Sequence, residues 1–146
     1  MIYLGTDHAG FELKEEIKKF LVDLGLDVED KGAMVLDPSD DYPDFVRPVA
    51  EAVANDAERS RGIILGGSGQ GEAIVANRAK GIRAAVYYGG PLDIVKLSRQ
   101  HNDSNILSLG ARFLTKEEAL EAVKLFLETP FEGGRHQRRI DKIDTM

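Results

Sequence analysis

The stretch from residue 62 to residue 80 constrains the fold more than any other part of the chain. It reads Gly-Ile-Ile-Leu-Gly-Gly-Ser-Gly-Gln-Gly-Glu, followed by Ala-Ile-Val-Ala-Asn-Arg-Ala-Lys. A short run of branched apolar residues between glycines predicts a buried parallel strand, and the alanine-rich segment predicts a helix. The glycine-rich stretch between them is therefore a turn from a strand into a helix.

This turn has the composition of an anion-binding loop. Four of the six residues from Gly66 to Gly71 are glycines, so few Cβ atoms keep a ligand from the backbone. The amides at the start of a helix are unpaired, and the helix dipole favours negative charge there. We predict a pocket for an oxyanion or a phosphate, formed by Gly67, Ser68, Gly69, Gln70 and Gly71.

Two familiar phosphate loops do not fit this turn. The dinucleotide fingerprint Gly-x-Gly-x-x-Gly, counted from Gly67, places Glu72 where the last glycine must stand, and no lysine follows Gly71 as a P-loop requires. Tyr87-Tyr88-Gly89 also supplies no acidic residue at the end of the fourth strand, which disfavours a nucleotide-binding fold. Glu72 is then either an ordinary first-turn carboxylate stabilised by the dipole or a catalytic group.

Strands and helices alternate along the rest of the chain. We predict a doubly wound, Rossmann-like α/β fold, a three-layer sandwich with a five-stranded parallel sheet. Residues 1–146 form a single domain that ends in a basic helix at about 134–143. The predicted strands cover residues 1–5, 26–30, 62–66, 82–88 and 105–109, and the other helices cover about 13–24, 42–57, 73–80, 91–100 and 115–128.

Composition excludes several classes of function. The formal net charge of −6 argues against a nucleic-acid binder, and the absence of cysteine excludes disulfide and thiolate chemistry. The N-terminus enters a strand without a basic region or a long apolar segment, so we expect a cytoplasmic protein without a signal peptide or membrane span. His8, His101 and His136 lie far apart without ligand spacing, so we expect no metal and no cofactor.

The candidate site lies where the strands end. Ligands of such sheets bind at the carboxyl ends of the strands. Asp7 and His8 follow the first strand, the glycine loop follows the third, and Arg112 follows the fifth, so all of them share this edge. Taken alone, an Asp-His pair in a loop is more often an ordinary turn.

Two further groups of residues do not follow a strand. His101 and Asn102 come at the end of a helix of about ten residues, roughly 15 Å long, and should lie near the opposite edge. They either cap their own helix or serve the pocket of a neighbouring subunit. Arg135 and Arg139 are four residues apart, on one helical face, and two guanidinium groups side by side suit a phosphate dianion.

A carboxylate, imidazoles, a hydroxyl and an anion hole fit proton abstraction next to a carbonyl. A base removes a C–H proton, and fixed donors stabilise the enediolate oxygen that results. One base can carry the proton between neighbouring carbons, which is aldose–ketose isomerisation.

Seven motifs, in order from one end of the chain to the other, resemble the ribose-5-phosphate isomerase B family, which also contains galactose-6-phosphate isomerase subunits. They are Asp7-His8-Ala9-Gly10, Asp41-Tyr42-Pro43, Gly67-x-Gly69-x-Gly71, Ala76-Asn77-Arg78, Gly81-Ile82-Arg83-Ala84, Arg99-Gln100-His101-Asn102 and Gly133-Gly134-Arg135-His136-Gln137-x-Arg139. The resemblance implies a metal-free isomerase that converts ribose 5-phosphate to ribulose 5-phosphate. It also implies a homodimer with shared active sites, with a tetramer as the alternative assembly.

The resemblance implies a role for each site residue. Many members carry a cysteine base immediately before the glycine loop, where this chain has Gly66, whereas a subset uses the glutamate of Gly-Gly-Ser-Gly-x-Gly-Glu, here Glu72. His101 would open the sugar ring, with Ser68 assisting or touching the sugar. The remaining roles are contacts to sugar oxygens or the oxyanion by Asp7, Asn102 and the loop amides, and to the phosphate by His8, Arg112, Arg135 and Arg139.

Two alternatives stay open at this stage. The substrate could be a six-carbon phosphate, such as allose or galactose 6-phosphate, handled by the same mechanism. The chain could also be a non-catalytic phosphosugar-binding protein in which Gly66 marks a lost base. Turnover in a Glu72→Gln variant separates catalysis from binding.

Overall fold

Five parallel strands form one sheet in the computed structural model, which describes residues 1–145. Met146, the last residue of the predicted domain, lies outside the described residues. The strands are β1 (Ile2–Thr6), β2 (Val28–Asp30), β3 (Arg61–Gly66), β4 (Ala84–Tyr87) and β5 (Ile106–Gly110), in the order β2-β1-β3-β5-β4. The helices are α1 (Phe11–Asp23), α2 (Pro43–Asn55), α3 (Gln70–Ala76), α4 (Asp93–Asn102), α5 (Lys116–Glu128) and α6 (Arg135–Ile140).

The helices cover both faces of the sheet, which confirms the predicted doubly wound fold. On one face, α1, α4 and α5 pack through residues such as Ile17, Val95 and Phe126. On the other face, α2 and α3 pack through residues such as Val49 and Ala76. The central strands are buried on both sides, which is why Ile63, Ile64 and Leu65 form a continuous apolar run rather than an alternating one.

Several predicted boundaries were wrong; α3, for example, begins at Gln70 rather than at 73, and polar residues explain three of the others. α3 ends at Ala76 rather than near 80. The side-chain amide of Asn77 binds both backbone groups of Ala84, which turns the chain into β4 and delays that strand to residue 84. α4 runs to Asn102 rather than Gln100, because Asp103, in a left-handed conformation at φ 46°, closes it.

The basic C-terminal helix is also shorter than predicted. α6 spans six residues, Arg135–Ile140, and a short 3₁₀ turn follows at Ile143–Thr145. None of the helices between residues 1 and 145 combines the length and the apolar character that crossing a bilayer requires.

The sheet brings the ends of β1, β3 and β5 together. Thr6 is in register with Leu65, and Gly66 is in register with Gly110. The segments that leave these three strands therefore start side by side at one edge of the sheet, as parallel pairing predicts.

Candidate active site

A cavity of about 580 Å³ opens at the carboxyl edge of the sheet. We call it the loop pocket, and its lining residues are Asp7, His8, Ala9, Tyr42, Gly67, Ser68, Gly71, Glu72, Arg112 and Phe113. Seven of the residues predicted from the sequence meet here. Gly69 and Gln70 belong to the same loop but do not line the cavity.

The glycine loop is held so tightly that side chains would not fit. A Cβ atom on Gly71 would lie 2.7 Å from the phenol ring of Tyr42, and one on Gly69 would lie 3.1 Å from the carbonyl carbon of Leu109. Gly69 also has φ 79°, a left-handed conformation that favours glycine. The Ser108 hydroxyl donates a hydrogen bond of 2.7 Å to the Gly69 carbonyl from beneath the loop. The loop is therefore fixed by close packing.

Glu72 lies in the first turn of α3, and its carboxyl group fills the space above Gly66. A Cβ atom on Gly66 would collide with the carboxyl carbon and both oxygens of Glu72. The residue is only 4% exposed. Burial raises the pKa of Glu72, and the nearby charge of Asp7 raises it further, while the amides of Glu72 and Gly69 oppose the shift. The carboxylate is therefore more basic than an ordinary surface glutamate.

His8 is oriented by an aspartate that the sequence reasoning missed. Asp40 Oδ1 accepts a hydrogen bond of 3.0 Å from the backbone N–H of His8. The same oxygen lies 2.8 Å from Nδ1 of the His8 ring. The hydrogen bond to Asp40 raises the pKa of His8, which favours a cationic imidazole. Asp40 lies well beyond β2, which ends at Asp30, in a loop that returns to His8 only through the tertiary structure, so the sequence offered no direct signal for this contact.

Arg112 packs against Gly67 and lines the same cavity as Glu72. Its backbone N–H donates to the Gly67 carbonyl at 3.2 Å, and its guanidinium group lies directly over Gly67. Arg112 is also close enough to His8 to oppose the rise in the pKa of that imidazole. The imidazole of His8 and the guanidinium group of Arg112 thus line the same cavity, and both are suited to an anion.

Asp7 and Ser68 complete the pocket. Asp7 Oδ1 accepts a hydrogen bond of 2.9 Å from the Ala9 amide, which caps the short 3₁₀ turn His8–Gly10. The Ser68 hydroxyl accepts a long hydrogen bond of 3.4 Å from the Gln70 amide. Both side chains line the cavity, so their remaining polar atoms can reach a ligand.

The other predicted residues, His101, Asn102, Arg135 and Arg139, lie together with His136, which was not predicted as a site residue. We call these five residues the helix-end cluster. The rings of His101 and His136 stack with centroids 4.3 Å apart and planes 13° apart. Burial lowers the pKa of His136, and the nearby Arg135, His101 and Arg139 lower it further, against the smaller opposing effect of Glu132.

The helix-end cluster lies at the opposite edge of the sheet, as the length of α4 predicted. The side chain of Arg83, which directly precedes β4, donates to the Asn102 carbonyl at 2.9 Å. Within residues 1–145, none of the five cluster residues lines the loop pocket. Asn102 instead lines a second cavity of about 350 Å³ beside β4. One chain therefore does not bring His101 to Glu72.

A sequence model of the family described as Ribose/Galactose Isomerase matches residues 2–143. The chain belongs to this family. The ribose-5-phosphate isomerase B of Mycobacterium tuberculosis is 43% identical, and the match covers 96% of this chain and 85% of that protein. The resemblance read from the seven motifs is confirmed, and so is the prediction that the chain is an isomerase.

Solved structures of family members have the same fold. The ribose-5-phosphate isomerase B of Mycoplasma genitalium, whose structure contains ribulose 5-phosphate, superimposes with a TM-score of 0.94 at 42% identity, over 97% of this chain and 92% of that one. The enzyme from Thermotoga maritima superimposes with a TM-score of 0.92 at 46% identity, over 99% of this chain and 97% of that one.

Proposed function

We propose that this isomerase interconverts D-ribose 5-phosphate and D-ribulose 5-phosphate through an enediolate, with Glu72 as the base. The buried carboxyl group of Glu72, packed against Gly66 at the start of the glycine loop, carries the proposal. The names of relatives more than 40% identical over nearly the whole chain, and the ribulose 5-phosphate bound to one of them, support the choice of substrate. A cytoplasmic location belongs to the same proposal.

One base is enough to carry the carbon-bound proton from C2 to C1. The Glu72 carboxylate removes the proton from C2 of the open-chain aldose, and the electron pair moves to form the C1–C2 double bond. The negative charge that develops on oxygen is stabilised by amides of the Gly67–Gly71 loop, which are fixed before the reaction starts. Return of the same proton from Glu72 to C1, together with transfer of the hydroxyl proton from O2 to O1, gives the ketose and regenerates the carboxylate.

The phosphate binds at the far end of the loop pocket, next to His8 and Arg112. A guanidinium group is always charged, and the hydrogen bond to Asp40 raises the pKa of His8, which favours its cationic form. Anchoring the phosphate there places the carbon chain of the sugar across the loop. The reacting carbons then lie near Glu72, while Asp7 and Ser68 contact the sugar oxygens.

We infer that a second copy of the chain completes the site. His101, Asn102, Arg135 and Arg139 would enter the loop pocket of the partner, with His101 opening the sugar ring and the arginines holding the phosphate. The flank of the sheet at β4 has the character of an interface, because β4 is an edge strand and the helices beside it expose apolar side chains. These are Ile74 at 59%, Ile94 at 51% and Leu97 at 41% exposure. The assembly proposed is a homodimer, with a tetramer as the alternative.

A coupled assay with purified protein tests the proposal. Ribose 5-phosphate should be converted with a chelator present, because the proton relay through Glu72 uses no metal. Allose 6-phosphate and galactose 6-phosphate, assayed in parallel, should give much lower kcat/KM values. A higher kcat/KM on a six-carbon phosphate would change the proposed substrate and leave the proposed mechanism intact. If none of these sugars is turned over, the proposed function is wrong.

A further inference from the structure

Three potential metal ligands converge beside the helix-end cluster. His101, Glu132 and His136 each offer one nitrogen or oxygen atom, and these atoms lie within 4.8 Å of one another. Glu132 Oε2 is 3.9 Å from Nε2 of His136, too far for a hydrogen bond. A gap of this size between a carboxylate and an imidazole accommodates an ion that bonds to both.

His136 is a buried side chain with an unused nitrogen. The residue is only 5% exposed, and its Nε2 has no hydrogen-bond partner among residues 1–145. Buried polar atoms are normally paired, so an unpaired one calls for an explanation. This nitrogen faces Glu132, so an ion bound between the two side chains would explain why the nitrogen has no hydrogen-bond partner.

The protein backbone fixes this arrangement. The Arg99 side chain, itself 4% exposed, donates to the Thr129 carbonyl at 3.0 Å. The Glu132 amide donates to the Gln100 carbonyl at 3.1 Å. These bonds hold the segment before α6 against the end of α4. Glu132 and His136 are therefore held beside His101 by contacts that do not depend on a ligand.

We propose that His101, Glu132 and His136 form a binding site for a divalent transition-metal ion such as Zn²⁺. Two imidazoles and one carboxylate are a donor set that Zn²⁺ accepts in tetrahedral geometry, with water in the fourth position. Imidazole ligands favour transition metals over Mg²⁺ or Ca²⁺. Glu132 also supplies negative charge next to Arg135 and Arg139, which would otherwise repel a cation.

Metal capture changes the position of His101. Nitrogen lone pairs lie in the plane of the imidazole, so two rings stacked 13° from parallel cannot both point at one ion. His101, only half-buried in the last turn of α4, is the ring that turns. An occupied site therefore removes His101 from its proposed place as the ring-opening acid. This inhibitory consequence rests on the proposed function, whereas the metal site does not.

Calorimetry and absorption with Co²⁺ test the site on the whole chain. Wild-type protein should bind one Co²⁺ per chain and show the intense visible bands of a tetrahedral site. Glu132→Gln removes one proposed ligand and should weaken Co²⁺ binding by at least about 10- to 100-fold. Loss of a group that only hydrogen-bonds a metal ligand already has an effect of that size. As a control, Glu128→Gln removes another exposed glutamate, at the end of α5, and should bind Co²⁺ like wild type.

Each outcome decides between the alternatives. Unchanged Co²⁺ affinity in Glu132→Gln, or no binding to wild type at millimolar Co²⁺, overturns the site. His136→Asn provides a second test, since it should abolish the visible bands in protein whose circular dichroism is unchanged, and bands that persist contradict the proposal.

An activity arm tests the inhibitory role separately. Zn²⁺ should inhibit wild-type isomerase and leave Glu132→Gln active at the same concentration. Binding without inhibition would keep the site and overturn its effect on catalysis. Absence of any isomerase activity would overturn the proposed function, while the Co²⁺ titration would still decide the metal site.

Discussion

The loop pocket and the helix-end cluster hold their functional groups in opposite ways. In the loop pocket, backbone amides and a buried carboxyl group are fixed by close contacts, such as the ring of Tyr42 against Gly71. In the helix-end cluster, long side chains including Arg135 and Arg139 extend from a short helix into solvent. All groups that line the loop pocket come from one chain. The helix-end cluster also carries groups suited to a phosphosugar, but they lie away from the loop pocket of their own chain.

This difference indicates which parts of the chemistry need a second subunit. Proton transfer at carbon depends on distance and on basicity, and both are set inside the loop pocket by the packing of Glu72 against Gly66. Ring opening and the outer grip on the phosphate depend on groups that lie on the opposite edge of the sheet. The following variants separate these contributions.

Replacing Glu72 with Gln should have the largest effect. Loss of the base should lower kcat by about 10²- to 10⁴-fold, with KM for ribose 5-phosphate nearly unchanged. Because burial raises the pKa of Glu72, the charged form costs folding free energy at pH values above that pKa, so the neutral Gln should raise the thermal midpoint at pH 7. Steady-state kinetics and thermal denaturation check both effects. Glu51→Gln, on the exposed side of α2, should change neither, and unchanged turnover in Glu72→Gln would exclude it as the base.

Mixed dimers test whether the two regions meet across subunits. Glu72→Gln and His101→Asn should each be nearly inactive alone. Dimers that contain one of each, isolated with two different affinity tags, should recover about half of the wild-type activity, because one of their two sites combines intact groups. Mixed dimers of Glu72→Gln with Glu72→Ala should stay inactive. If Glu72 and His101 acted within one chain, no mixture would recover activity.

Adding one methyl group at Gly66 should disturb the loop pocket alone. Gly66→Ala forces the carboxyl group of Glu72 out of its place, which should lower kcat by about 10- to 100-fold and lower the thermal midpoint. In a Glu72→Ala background the space is empty, so the same substitution should cost little stability. A double-mutant cycle measures this coupling, and simple additivity would show that the two groups do not share the space.

The smallest expected effect concerns the phosphate end of the pocket. Asp40→Asn removes the main cause of the raised pKa of His8, so KM should rise by about three- to tenfold near neutral pH. His8 helps to bind the phosphate while its imidazole is cationic, and this help is lost as the pH rises through the pKa of His8. The raised pKa in wild type therefore extends phosphate binding to higher pH. The loss should therefore occur at lower pH in Asp40→Asn than in wild type. A pH profile of KM measures the shift, and Asp44→Asn should show none.

The fold could be predicted because its signals are local. Apolar runs bounded by glycines gave the five strands, and helical spacing of apolar residues gave the covering helices. Among the wrong boundaries, the start of β4 depends on a specific side-chain contact that apolar patterns do not show, that of Asn77 with the backbone of Ala84. A left-handed aspartate at the end of α4 is equally hard to predict, because glycine is the usual residue there.

The candidate site could be predicted in part. Residues that directly follow β1, β3 and β5 were found because parallel strands end at one edge. Asp40 and Tyr42 were missed because they lie in an acidic loop, residues 31–42, whose path back to His8 depends on tertiary structure. The catalytic roles assigned to Glu72, His101 and the arginines stay predictions, to be decided by the variants above.

The contact between Glu72 and Gly66 also limits how a family of this kind can evolve. A base at position 66 and a base at position 72 would occupy the same small volume, so a chain that acquires the second while it keeps the first becomes crowded there. Passage from one to the other requires either an intermediate that is crowded or one that has no base. Two lineages separated by such a barrier should remain distinct, and the residue at position 66 should tell them apart.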